Sequence, residues 1–491
     1  MTAADITTAL TRFGLGARPD DPLPTDPRRW LLDQFDRYAA APPSIATVPT
    51  SRAVAARLAE LYDQRRDLRE QYGPRRQRPP AAMALVPPPI SPAMNSAAAM
   101  PAADPYRDAR QAAGRDMRQG YAAAVAARTG IALTTTTPFV ERLVHFWANH
   151  FAVSADKLEM VGLAPTLEFE AIRPHVLGRF ADMLLAVERH PAMLVYLDQA
   201  VSVGPNSTVG QRGGRRAGLN ENLAREILEL HTLGVRTGYT QGDVTELARA
   251  LTGWTVAGLA RGPAQRAAGD AAPGSFVFAP ALHEPGDRTI TGTRYPAAGE
   301  AQATEVLADL AASPATARHL ATKLARHFAG DVPPPAMIAR LEQAYLSSNG
   351  DLPTIYRAII ASPEAWVPAP VKFRTPWEWS LATFRAVGTR EVQPGAIVGL
   401  LNQLGQPAWK PGQPIGYDDV AASWAGPDAI MRRVEAAERM AGRTPATDAR
   451  TLGAKLFPDG LSAATTQAIA RAESPAQGLA LLLVSPEMMR R

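Results

Sequence analysis

Residues 220–234 read NENLAREILELHTLG, and the fold class follows from them. At 3.6 residues per turn, Leu223, Ala224, Ile227, Leu228, Leu230 and His231 form one continuous arc. Glu221, Asn222, Arg225 and Glu229 take the opposite arc, with Glu226 at the border. The pattern predicts an amphipathic helix whose apolar stripe faces a core, closed by Gly234. Thr240 and Asp243 then stand three apart, a capping box for DVTELARALTGW. Upstream, PFVERLVHFWANHF puts Phe139, Leu143, Phe146 and Trp147 on one helical face. Downstream, EAQATEVLADLAA, PATARHLATKLARHF, PAMIARLEQAYLSS, LPTIYRAIIAS and PWEWSLATFRAV repeat the helical period, with Pro314 placed at a helix start. Only FVFAP and RTITGTRY carry a strand signal. The expected architecture is all-α: a multi-helix core with a small β-hairpin insertion.

The chain has 491 residues, enough for a large core and a sub-core. Its expected segments are an N-terminal helical part (1–72), a Pro/Ala-rich linker (73–105), a central helical core (106–260), a loop and hairpin insertion (261–298) and a C-terminal helical region (299–491). Residues 202–222 hold a glycine-rich, mobile loop. There is no cysteine, which excludes disulfides, thiolate metal sites and a cysteine nucleophile. No run of about 18 apolar residues occurs, so no membrane span is expected. The first residues lack the basic start and apolar stretch of a signal peptide. That favours the cytoplasm by default, with the cell envelope as the alternative.

The net charge of +5 is unevenly placed. Residues 51–130 hold thirteen arginines, no lysine and seven acids. The arginines fall in alanine-rich helical stretches, where Asp63 and Arg66 stand at pairing distance along the helix. Aromatic side chains do not alternate with them, so a nucleic-acid partner is not expected.

Chemistry is harder to read. GxGxxG, GxxxxGK[ST], HExxH and GxSxG are all absent. Of eight histidines, His145 and His150 lie about 140° apart on a regular helix, whereas Glu141 and His145 share a face. His175 and His190 sit at helix starts with structural or capping roles, and His319 and His327 read as surface residues. His231, on the apolar arc, reads as a core histidine or a ligand. Glu226 and Glu229 can converge, although Arg225 stands four from both Glu221 and Glu229, which also fits a solvent-side charge ladder. The functional reading is a polar pocket in which His150, Glu226, Glu229 and His231 carry the chemistry. Arg225, Asp198 and the loop residue His283 would bind substrate. A divalent metal on such carboxylates and histidines, or general acid–base work, would suit it.

A series of segments adds a resemblance: TRFGLGARPDD, FWANHFAVSADK, IRPHVLGRF, HPAMLVYLDQ, GLNENLAREILELHTLGVRTGYTQGDVTELARALTGW, KFRTPWEWSLATFRAVG and LGQPAWKPGQPIGYDD. Apart from the linker, nearly the whole chain resembles the bacterial "domain of unknown function 1800" family. In that family the aromatic segment usually reads FWHNHF; Ala148 stands where its first histidine would be, which argues against a metal on that pair. The resemblance also implies a secreted partner resembling a phosphatase or sulfatase, and with it an envelope setting. Two functions are expected in consequence: a metal-assisted hydrolase or other enzyme at a His/Glu-lined pocket, or a non-catalytic scaffold that docks an envelope partner through its Arg/Pro-rich region.

Overall fold

A computed structural model describes residues 2–73, 105–213 and 218–491. Nearly all of the expected Pro/Ala-rich linker, and part of the glycine-rich loop, lie outside them.

The chain is mainly helical, and its helix starts reflect local chemistry. Thr240 accepts from the Asp243 amide while the Asp243 carboxylate accepts from the Thr240 amide, closing the predicted capping box on Gln241–Leu251. Thr375 and Glu378 do the same for Pro376–Ala386. His190 caps Pro191–Tyr196 by accepting from the Ala192 amide at 3.1 Å, and His175 bonds the Ala171 carbonyl at 2.8 Å. The arginine-rich Ser51–Tyr72 packs along Pro105–Thr134, with Arg66 paired to Asp63 at 3.0 Å on the exposed side.

The helix from 220 departs from the regular period. It runs as α-helix over Asn222–Glu226 and then as a π-helical turn over Ile227–His231. The wider turn shifts its later side chains around the axis, so Leu230 leaves the core and only half-buries, while His231 stays fully buried.

The β structure is two antiparallel strand pairs, one of them the expected small hairpin and the other closed over a longer connection. Strand β1 (Trp254–Val256), in the stretch after LTG, pairs antiparallel with β2 (Phe276–Phe278). Strands β3 (Arg288–Ile290) and β4 (Thr293–Tyr295) pair with each other. Thr291 (φ 49°) and Gly292 (φ 83°) form the turn between them, both left-handed, as a tight two-residue hairpin requires.

The main core gathers Phe13, Phe139, Trp147 and Phe328, with Phe13 stacked 5.5 Å from Phe328. A second apolar cluster unites Trp379 with the C-terminal helices, and its indole donates to the Leu483 carbonyl at 3.0 Å. The chain end returns inward: Lys372 and Arg491 exchange backbone hydrogen bonds at 3.0 and 2.8 Å, which buries the Arg491 side chain. Among the described residues no helix is long and apolar enough to cross a membrane.

Candidate functional site

A cavity of about 310 Å³ opens between three elements. The Pro138–His150 helix supplies His145, Ala148, Asn149 and His150; the Pro314–Ala329 helix supplies His319, Lys323, Arg326 and His327; the start of Pro376–Ala386 supplies Trp377 and Glu378. The proline- and glycine-rich segment 406–419 covers it. That cover is pinned at the helix end. Asn149 donates to the Tyr417 carbonyl and accepts from its amide, both at 2.8 Å. Gly416 lies so close to Asn149 that a Cβ would sit 2.3 Å from its carbonyl oxygen, and its φ is +82°.

The deepest polar contact joins Lys323 to His150. Lys323 Nζ lies 2.9 Å from His150 Nδ1. An ammonium only donates, so Nδ1 accepts, the ring proton sits on Nε2, and Nε2 donates to the His231 carbonyl at 3.2 Å. Burial, followed by the charge of Lys323, holds His150 well below the usual histidine range, so the ring is neutral. His319 donates from Nε2 to the Leu230 carbonyl at 3.2 Å, and burial together with Lys323 lowers it to about 4. Lys323 is itself lowered to about 8, by burial and then by Arg326 against the opposing pull of Asp419.

Beside this strip lies a compensated network. Glu378 accepts from Arg142 and, at 2.9 Å, from Arg491. Burial alone would raise its carboxyl, yet the two guanidiniums hold it well below the usual range. Asp419 accepts from His327 at 2.9 Å and Lys372 at 3.2 Å, which outweighs burial and lowers it to about 2. Burial drops His327 to about 4. Arg128 pairs with Glu168 at 2.9 Å and lies between Trp377 and Trp409, 4.5 and 4.9 Å from the ring centres.

The sequence-predicted residues divide. His150 and Glu229 line the cavity; Glu226, His231, Arg225, Asp198 and His283 do not. His231 is fully buried with its Nδ1 2.7 Å from Glu188, which makes it a support beneath His150. Arg225 forms the ladder, 3.3 Å from Glu221 and 3.5 Å from Glu229, and also bonds Gln241 at 2.9 Å. Asp198 pairs with Lys157 at 3.7 Å, and His283 bonds the Thr252 carbonyl at 2.8 Å. Neither Glu226 nor Glu229 is within ion-pair distance of a histidine, because the π-helical turn carries His231 toward Glu188 instead. His150 has both ring nitrogens engaged. Among the described residues no group of three or more histidines and acids could hold a metal ion, so the four residues do not assemble into the expected ligand set. His145 and His150 both reach the cavity despite their angular separation, because it wraps around the helix end. Glu141 and His145 meet at 3.5 Å, as their spacing requires.

The reading of His319 and His327 as surface residues is corrected: His327 is buried and His319 is half-buried at the cavity. The sequence did hold a signal for them. His319, Lys323 and Arg326 recur at i, i+4 and i+7, a polar stripe about 60° wide on a helix whose other face is apolar.

The sequence matches the family described as "Protein of unknown function (DUF1800)" over residues 8–490, and the chain belongs to that family. No curated protein and no solved structure matches it. Ala148, the departure from the aromatic segment's usual pattern, lines the cavity.

Proposed function

We propose that this protein is an enzyme that works by acid–base chemistry in the cavity, with Lys323 as the proton donor and His150 as the residue that positions it. The hydrogen bond from Lys323 Nζ to a neutral, buried His150 supports this reading most directly. Arginine would be the default cation in this chain: of 52 basic residues only five are lysines, namely Lys157, Lys323, Lys372, Lys410 and Lys455. Arginine stays charged at any pH a protein meets, whereas lysine can titrate near neutrality once desolvated. A lysine lowered to about 8 is protonated at pH 7 and gives up its proton readily.

Hydrolysis is the reaction class that suits a single proton donor with an engaged neutral histidine. Water adds its oxygen to the acyl or phosphoryl centre, and the bond to the leaving oxygen breaks. That oxygen takes the Nζ proton, and the proton released by water restores the ammonium. Turnover of a panel of carboxyl, phosphate and sulfate esters tests the reading. Lys323→Met should lower the rate about a hundredfold or more, the scale of general acid catalysis. Wild-type rates in Lys323→Met would overturn it.

A second, separable proposal concerns partners. The excess of thirteen arginines over seven acids in residues 51–130 suits docking to an acidic surface, such as that of a phosphatase- or sulfatase-like partner. Deleting residues 74–104 should abolish capture of such a partner. Unchanged capture would contradict it.

A further inference from the structure

The carboxylates and cations of the cavity do not balance. Glu378 is shared by Arg142 and Arg491, Asp419 by Lys372 and a neutral His327, Glu229 is drawn to Arg225, and the exposed Asp418 at the rim accepts from the Ser423 hydroxyl at 2.7 Å. Lys323 and Arg326 remain. Neither forms an ion pair within the described residues, and the Arg326 Nε is buried without a hydrogen-bond partner. Buried charges are ordinarily paired, because desolvating them alone is costly. The nearest help is Asp419, which acts on Lys323 at longer range and is already engaged by the Lys372 ammonium and by the neutral His327. His150 accepts from Lys323 but brings no negative charge.

We infer that Lys323 and Arg326 form an oxyanion site, and that the ligand of this cavity carries a phosphate, sulfate or carboxylate group seated between them. The two residues stand three apart on one helix, so their side chains leave the same face. A guanidinium supplies the planar donor fork that such groups accept, and an ammonium supplies a compact charge. His319, fixed by the Leu230 carbonyl, turns the lone pair on its Nδ1 away from that bond and adds no competing charge. The volume suits a small molecule or a single small group. This inference names the substrate class of the proposed hydrolase and rests on that reading for its catalytic meaning, but the anion site can be tested without turnover.

The test is calorimetric titration of the full-length protein with sodium sulfate, as a tetrahedral probe, and with sodium acetate, as a planar one. At least one should bind saturably with one site per chain. The tighter of the two identifies the head group. Arg326→Gln should weaken it about tenfold or more, the loss expected for a charge-assisted hydrogen bond, while Arg318→Gln on the same helix should change it less than about twofold. Arg318 is an exposed residue paired with Glu342 and lies outside the cavity.

A second measurement needs no variant. Sulfate does not titrate in this range, so its affinity in the wild-type protein should fall as pH rises through about 8. The groups that face Lys323 are His150, His319, Arg326 and Asp419, and only Lys323 changes charge there. Absence of saturable binding by either anion, or equal binding by Arg326→Gln, overturns the anion site. Turnover that depends on Lys323 without anion binding would leave the hydrolase reading standing alone.

Discussion

Two groups of charge meet at the Pro314–Ala329 helix, one buried and one half-buried, and they are built on opposite terms. On one side, Glu378 is paired with Arg142 and Arg491, and Asp419 with Lys372 and a neutral His327, so each carboxylate has a cation. On the other, one turn or less away, Lys323 and Arg326 have no carboxylate of their own. The first group ties together parts of the chain far apart in sequence, including the final residue. The second spends folding free energy on unpaired charge. On the anion-site inference the unpaired charge is kept for a ligand, whereas the paired group serves the fold.

The contrast can be broken by mutation. Glu378→Ala should strand two buried guanidiniums and cost about 3–5 kcal/mol in denaturant unfolding, as removing one partner of a buried ion pair does. A cost below about 1 kcal/mol would mean that the balanced network carries little stability.

The pH dependence sharpens it. His319 and His327 sit at about 4 in the folded protein against an ordinary 6.5. Between those values the unfolded chain binds protons that the folded one refuses. Their stabilising contribution is therefore complete above pH 6.5 and is lost as pH falls through about 4. Unfolding free energy should decline by about 3 kcal/mol per histidine over that window, about 6–7 kcal/mol for the two, and His327→Gln should remove about half of the slope. A slope unaltered in that variant would contradict the assignment.

Lys323→Met should behave oppositely to Glu378→Ala: stability at pH 7 unchanged or raised, with oxyanion binding lost. The sign comes from the lowered folded value of about 8 against an ordinary 10.5. The unfolded chain holds its proton more tightly, so the buried ammonium weakens the fold at neutral pH and stability rises between those two values. Methionine fills the same space without charge. Destabilisation as large as that of Glu378→Ala would erase the distinction between the two groups.

The smallest effect concerns the helix that shapes the cavity's neighbour. Thr240→Ala removes one arm of a capping box and should cost about 1 kcal/mol without altering anion affinity.

The helices were legible because each carries its own period and cap, as Thr240–Asp243 and Pro314 illustrate. The hairpin partners were less so. Trp254–Val256 is a three-residue strand whose pairing with Phe276–Phe278 depends on a contact about twenty residues away, which no local pattern encodes. The site was half legible. His150 and Glu229 do line the cavity, but Glu226 and His231 were placed by a regular helical wheel that the π-helical turn at Ile227–His231 breaks. Lys323 and Arg326 looked like the solvated face of a basic helix. Their setting comes from segment 406–419, which lines the same cavity, and a sequence pattern does not reveal which loop will meet which helix.

The central claim is that Lys323 is a desolvated, uncompensated ammonium poised near neutrality. Competitive acylation of the intact protein across pH 6–11, read lysine by lysine by mass spectrometry, measures it directly, and with five lysines each can be resolved. Lys323 should titrate at about 8, well below the ordinary lysine value of about 10.4. A Lys323 that titrates at the ordinary lysine value would contradict the account, and the cavity would then hold an ordinary solvated cation.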